Sequence, residues 1–130
     1  MKKKYWLLLA ATSTLAFFSC SKEEGYGGLA KINGKVYGYD VTSSGSIRAE
    51  GYVGEAKVYI SKHGDPYYFD DVNTSYDGSF QFRFLNEGSY DLWVYSDCDT
   101  CTWKQKYEIK AVTVSSKKQT VLLPDFEIIF

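Results

Sequence analysis

Histidine and cysteine are scarce in this chain, and their scarcity excludes most metal centres. The 130 residues contain one histidine, His63, and three cysteines. A structural zinc site takes four ligands, which one histidine and no second cysteine pair cannot supply in the usual combinations. His63 lies in a His-Gly-Asp-Pro turn sequence without a nucleophile-elbow motif, which indicates an exposed turn residue rather than a general base. We therefore expect a non-catalytic protein that uses no cofactor.

Calcium binding is the metal function that the sequence leaves open. Residues 65–77 are rich in side-chain oxygens, the ligands that Ca²⁺ prefers. The segment lacks the regular acidic spacing and the final Glu of an EF-hand loop. The alternative is a solvated sheet edge whose charges prevent another strand from pairing with it. The side chains concerned are Asp65, Asp70, Asp71, Asn73 and Asp77.

An excess of positive charge is also absent. Fifteen Lys and Arg residues stand against sixteen Asp and Glu residues, and three of the lysines lie at positions 2–4. Without those three lysines the chain has twelve basic and sixteen acidic residues, a net charge of about −4. Because nucleic acid binding requires a concentrated Lys/Arg surface, we expect no nucleic acid partner.

The apolar run near the start of the chain is too short to span a membrane. Residues 6–18 make thirteen positions, whereas a spanning helix needs about 20. The run follows the lysines at 2–4 and precedes the small residue Ser19, which is the arrangement of a secretory signal peptide. We therefore expect residues 1–19 to be removed and Cys20 to become the first residue.

Residues 17–20, Phe-Phe-Ser-Cys, resemble the lipobox of bacterial lipoproteins. The resemblance implies that Cys20 carries the lipid, and acyl chains would hold the protein on a membrane. Residues 22–24, Lys-Glu-Glu, resemble the surface-export signal of Bacteroidetes lipoproteins. Residues 20–28 would then form a lipidated, flexible tether on the outer membrane, facing the cell surface. The alternatives are an ordinary secreted protein with a free thiol at Cys20 and a merely solvated charge cluster.

The remaining sequence favours β structure. Aromatic residues make up 18% of the chain, mostly in runs with Val and Ile that suit a pleated, half-buried surface. Residues 80, 82 and 84 are Phe and alternate with polar residues, and Tyr90, Leu92 and Val94 alternate in the same way after an Asn-Glu-Gly turn. This pattern predicts a β-hairpin. A later strand, residues 103–114, changes phase between Ile109 and Val112, which predicts a bulge.

Seven such strands, with no helical segment, predict an all-β fold over residues 29–130. We expect an antiparallel, seven-stranded Greek-key sandwich of two sheets. In this interpretation residues 41–54 are mainly loop, and Pro124 marks an edge or a break in the last strand.

The segment Thr74-x-x-Asp-Gly-Ser-Phe-x-Phe-x-Phe-Leu-x-x-Gly-Ser-Tyr-x-Leu-x-Val94 resembles carboxypeptidase regulatory-like domains, which have a transthyretin-like (prealbumin-like), Ig-like sandwich. It is also similar to the B-type repeats of bacterial adhesins. Such adhesin domains can form an internal isopeptide bond, and the resemblance would place it between Lys31 or Lys35 and Asp125. The characteristic Asn is, however, missing from the last strand. Because such sandwiches host unrelated roles, the resemblance implies a fold rather than a function.

Cys98 and Cys101 form the remaining cysteine pair. In an oxidising compartment an even pair indicates a disulfide, here within the loop between two strands. A redox pair would require the first cysteine at a helix N-terminus, and the pattern on both sides is β.

Outward-facing aromatic residues are the predicted functional feature. If Tyr90, Leu92 and Val94 point inward, Trp93 and Tyr95 face solvent, on the same side as Tyr59. Exposed rings often mark interaction sites, so we expect these three to form a ligand or partner surface. The sequence thus predicts a surface lipoprotein that binds a glycan or an envelope protein. The alternative is a structural or accessory subunit of an outer-membrane transport or glycan-uptake complex.

Overall fold

The computed structural model describes residues 23–130, which form nine β-strands. Cys20, with its predicted lipidation, lies outside the described residues. Residues 23–130 include no helix long and apolar enough to cross a membrane. In chain order the strands are β1 (Tyr26–Val41), β2 (Ile47–Tyr52), β3 (Lys57–Lys62), β4 (Asp70–Asn73), β5 (Ser79–Leu85), β6 (Gly88–Asp97), β7 (Gln105–Val114), β8 (Thr120–Leu122) and β9 (Phe126–Ile129).

The strands form two sheets. The four-stranded sheet is antiparallel, in the order β4-β3-β6-β7. The five-stranded sheet is built around β1, which is 16 residues long and pairs with different strands along its length. Its first part pairs with β5 and β8, and its second part pairs with β2 and β9. Both β8 and β9 run parallel to β1, so this sheet is mixed, and the predicted antiparallel pairing holds throughout only in the four-stranded sheet.

The hydrophobic core lies between the sheets. It consists of alternate residues from both sheets, and the largest side chains in it include Tyr90, Phe82, Phe126 and Ile32. Burial of these apolar side chains on two facing sheets is what stabilises a sandwich. The predicted all-β, two-sheet sandwich is therefore confirmed.

Nine strands replace the predicted seven for two local reasons. β2 lies in the segment expected to be loop, and five of its six residues are exposed, so it has no buried face for a row of large apolar residues to mark. Backbone pairing with β1 forms it instead. The last predicted strand is divided into β8 and β9 on either side of Pro124, as the sequence suggested.

The predicted hairpin of β5 and β6 is wrong. β5 pairs with β1, whereas β6 pairs with β3 and β7, so the two strands lie in opposite sheets. Residues 86–88 carry the chain from one sheet to the other. Alternation correctly indicated the buried residues of β6 and those of β5 as far as Phe82, but it says nothing about which strand is the partner.

Two predictions about which residues face inward also need correction: that Phe84 of β5 is buried, and that β7 contains a bulge. Phe84 has a φ of 58° and is 60% exposed, and Leu85 is buried in its place. From Phe82 to Leu85 the chain of β5 advances three residues while β1 advances two, which is a β-bulge. β7 has no bulge, because it pairs with β6 without a register shift from Gln105 to Val114. Ile109 therefore simply faces outward.

The tether was predicted to reach residue 28, but the strand begins at Tyr26. The Gly25 amide donates to the hydroxyl of Tyr90 over 2.9 Å, and the side-chain amide of Asn86 donates to the carbonyls of Glu23 and Tyr26. Gly28 lies so close to the Leu85 carbonyl that a side chain there would collide with it. Residues 26–28 consequently belong to the sandwich.

Candidate functional site

The outer face of the four-stranded sheet carries the residues that the sequence singled out. In β6, Tyr90, Leu92 and Val94 are buried between the sheets. The alternate residues Trp93 and Tyr95 therefore point to the other side. Tyr59 of β3 is the cross-strand partner of Trp93 and shares this face. The structure brings all three predicted residues together.

Five rings meet on this face and form what we call the aromatic surface. Tyr59 and Trp93 stack with centroids 5.6 Å apart and ring planes 14° from parallel, and Tyr59 meets Tyr95 edge to face at 5.6 Å. Tyr68, from the β3–β4 loop, contacts Tyr59 at 4.8 Å, and Tyr107 of β7 contacts Tyr95 at 6.4 Å. These are the offset and edge-to-face geometries that aromatic pairs prefer.

Contacts among the rings leave a surface that is both apolar and rich in hydroxyls. Tyr95, Tyr68 and Tyr107 are 47%, 50% and 60% exposed, respectively. Partial burial raises the pKa of the Tyr59 hydroxyl, which like an ordinary tyrosine is a protonated phenol at neutral pH. A tyrosine offers a ring face and a hydroxyl that donates or accepts, and both suit the mixed apolar and hydroxylated surface of a sugar.

Sequence reasoning missed three residues of this face. Tyr107 and Ile109 pair with Tyr95 and Trp93 in the β6–β7 ladder. Val112 and Val114 face inward, so strict alternation along β7 would have placed Tyr107 and Ile109 on the outer face. The bulge expected between Ile109 and Val112 prevented that prediction. Tyr68 lies in a loop, where no periodicity reports orientation.

A cavity of about 350 Å³ opens beside the aromatic surface. One wall is formed by Trp93, Tyr95, Tyr107 and Ile109, and the other by the start of the β3–β4 loop, residues 64–66. Asp91 also lines it. The cavity thus combines aromatic rings with a carboxylate.

Asp91 fixes the loop that forms the second wall. Its Oδ1 lies 2.8 Å from Nδ1 of His63, and its Oδ2 accepts from the Gly64 amide over 3.0 Å. A neutral His63 must carry its proton on Nδ1 to donate to this carboxylate. His63 remains exposed, as predicted, and its role here is to hold Asp91 and the loop together.

Other predicted features lie away from this cavity. The disulfide Cys98–Cys101 is present, with Cα atoms 5.4 Å apart, and closes the turn between β6 and β7. Lys35 and Asp125 both approach Tyr52: the ammonium lies 4.7 Å from the ring centroid, and Asp125 accepts from the hydroxyl over 2.9 Å. Lys35 and Asp125 are thus engaged with Tyr52.

The acidic segment proposed for calcium does not converge. Tyr26 donates to Asp70, and Asp71 lies 3.7 Å from the ammonium of Lys57. Asp77 accepts from the hydroxyl and amide of Ser79 in its own turn, and these bonds lower its pKa. Within residues 23–130 no three His, Cys, Asp or Glu side chains are grouped as metal ligands would be.

A larger depression of about 550 Å³ lies on the five-stranded sheet. Its lining is mostly short or polar, with Asn33, Ser75, Ser79 and Gln81 among its members, and its one ring belongs to Phe80, which is buried in the core. Size alone therefore does not identify the site. The smaller cavity beside Trp93 has the exposed rings and the fixed carboxylate.

Comparison with known proteins supports the fold. No protein-family model matches the chain, and no curated protein matches its sequence. A proposed carbohydrate-binding protein from Pseudomonas aeruginosa is similar in structure, with a TM-score of 0.51 and 22% identity over 78% of this chain and 91% of that one. A 9R-lipoxygenase from Cyanothece matches with a TM-score of 0.41 and 12% identity, over 83% of this chain and 18% of that one. At 22% identity, the first likeness shows a common fold.

Proposed function

We propose that this protein is a non-catalytic glycan-binding module whose ligand docks on the aromatic surface. The observation that carries the proposal is the convergence of Tyr59, Tyr68, Trp93, Tyr95 and Tyr107 on one solvent-facing sheet side, next to a cavity with a fixed carboxylate. The similar fold of the proposed carbohydrate-binding protein from Pseudomonas aeruginosa adds support.

The rings suit a glycan because they are already in place. Contacts between neighbouring rings restrict their rotamers before any ligand arrives, which lowers the entropic cost of binding. β3 and β6, which position Tyr59 and Trp93, are paired along their length and anchored in the core. A sugar could therefore lie against the rings and their phenol groups without rearranging the sheet.

We further propose that a lipid on Cys20 holds this module at the outer membrane, exposed to the cell surface. The lipobox-like residues 17–20 and the Lys-Glu-Glu sequence at 22–24 support this location. The sandwich begins within a few residues of Cys20 in the sequence, because Gly25 and Tyr26 are already fixed to Tyr90 and Asn86. The module would sit close to the membrane surface.

The test is glycan binding by the whole mature protein, purified in detergent and applied to a polysaccharide array. Trp93→Ala should weaken binding to the retained glycans by about 30-fold, since a central aromatic contact at an interface contributes about 2 kcal/mol or more. Tyr39→Ala is the matched control, because Tyr39 is a partly buried ring on the five-stranded sheet. It should leave binding within about twofold.

Two results would contradict the proposal. One is an equal loss of glycan binding in the Trp93→Ala and Tyr39→Ala variants, which would mean that the aromatic surface is not the binding site. The other is no retention of any glycan together with stoichiometric co-purification of an outer-membrane protein, which would favour the accessory-subunit alternative. Retention that depends on Trp93 and not on Tyr39 supports the glycan-binding function.

A further inference from the structure

We infer that the cavity beside Trp93 selects neutral sugars over anionic ones, with Asp91 as the residue that determines this specificity. The inference rests on the proposed glycan-binding function and adds the class of sugar. Asp91 is outward-facing on β6, yet it is only 9% exposed because the β3–β4 loop covers it. Asp91 is nevertheless among the residues that line the cavity, and its side chain keeps 12% of its surface accessible.

The hydrogen bonds of Asp91 leave part of its acceptor capacity unused. An ionised carboxylate offers about four acceptor positions on its two oxygens. His63 donates to one oxygen and the Gly64 amide to the other, which uses about half of that capacity. The two donors also fix the plane of the carboxylate. Neighbouring hydroxyls of a sugar can donate to the two oxygens at once, a geometry that a carboxylate accepts well.

The charge of the cavity lining sets the selectivity. Two carboxylates line it, those of Asp65 and Asp91, and none of its eight lining residues is Lys, Arg or His. Lys57, which lies on the same sheet face, is instead 3.7 Å from Asp71. A uronic acid or a sulfated sugar would bring a negative charge next to Asp65 and Asp91, and like charges brought together are disfavoured. His63, which contacts Asp91 from outside the lining, offsets this repulsion only when it is protonated.

The shape of the cavity sets the size of the unit that enters it. Its volume of about 350 Å³ is at the lower end of ligand pockets, which range from ~300 to ~1,000 Å³. Trp93, Tyr107, Ile109 and Pro66 provide the apolar part of its lining. We expect it to hold one or two sugar rings by their C–H faces while their hydroxyls reach Asp91.

The experiment compares acidic polysaccharides with their own carboxyl-reduced forms. Polygalacturonate, alginate and hyaluronan are each immobilised beside the neutral polymer made by reducing their uronic acids, and the whole mature protein is titrated onto each. Within every pair that is retained, the neutral member should bind at least tenfold more tightly. Asp91→Asn should weaken binding to the neutral member at least tenfold. The ratio of the affinity for the neutral member to that for the acidic member should then fall below threefold.

Two further variants separate ligand contact from loop support. Asp97→Asn removes the same charge from the same strand at a position outside the cavity lining, and it should keep the wild-type ratio. His63→Ala removes one donor to Asp91 but keeps the carboxylate, so the neutral preference should survive even if overall affinity falls. This preference remains testable in the wild-type protein if Asp91→Asn does not fold.

The outcomes distinguish this inference from the function on which it rests. Tighter or equal binding of the acidic members overturns the neutral selectivity while leaving glycan binding intact. A folded Asp91→Asn protein with the wild-type ratio overturns the role of Asp91. If no polysaccharide of any pair or of the wider array is retained, the proposed function itself fails, and the selectivity fails with it.

Discussion

Tyr90 shows how a single residue connects the core to the start of the domain. Its ring is fully buried between the sheets, and burial raises the pKa of its hydroxyl. That hydroxyl donates to the Asn86 carbonyl over 2.6 Å and accepts from the Gly25 amide over 2.9 Å. One polar atom in the core thus fixes both the crossover between the sheets and the residues before β1.

Tyr90→Phe should therefore destabilise the protein by about 1–3 kcal/mol, because a buried amide and a carbonyl would each lose a partner. Urea denaturation of the wild type and the variant measures this difference. Tyr76→Phe is the control, since Tyr76 is 94% exposed, and surface changes of this kind stay within about 0.5 kcal/mol. Equal stability of all three proteins would contradict the role assigned to the Tyr90 hydroxyl.

At the scale of single strands, β5 departs most from its sequence pattern. Phe80, Phe82 and Phe84 alternate as if all three were buried, but the bulge before Leu85 turns Phe84 outward. Phe82→Ala should cost about 3–5 kcal/mol, as expected for a buried ring, whereas Phe84→Ala should cost less than about 1 kcal/mol. Denaturant midpoints of the two variants measure the difference. Similar losses would show that β5 has no bulge.

The same strands show what the sequence could and could not predict. Alternation placed Tyr90, Leu92 and Val94 inside and Trp93 outside, because side-chain direction in a strand is a local property. Strand pairing is not local: nothing between Phe84 and Tyr90 indicates that the chain passes to the other sheet. The candidate site was predicted only as far as alternation reached. The burial of Asp91 and the position of Tyr68 depend on the β3–β4 loop, whose path is set by tertiary contacts.

At the scale of the whole molecule, the two outer faces carry different kinds of aromatic clusters. On the five-stranded sheet, Tyr39 donates to Glu127 and Tyr52 donates to Asp125, so carboxylates engage both hydroxyls. Burial and then Glu127 raise the pKa of Tyr39, and Asp125 raises the pKa of Tyr52. Rings contact one another on both faces, but on the four-stranded sheet Trp93, Tyr95 and Tyr107 also line a cavity. The proposed ligand binding therefore concerns the four-stranded sheet only.

The most direct test of that assignment is an NMR titration of the ¹⁵N-labelled mature protein with a fragment of the most tightly bound neutral polysaccharide. Amide shifts should change at Trp93, Tyr95, Tyr107 and in the loop at residues 64–68, and should stay constant around Tyr39 on the opposite sheet. Shift changes centred on the five-stranded sheet, or none at saturating glycan, would contradict the account.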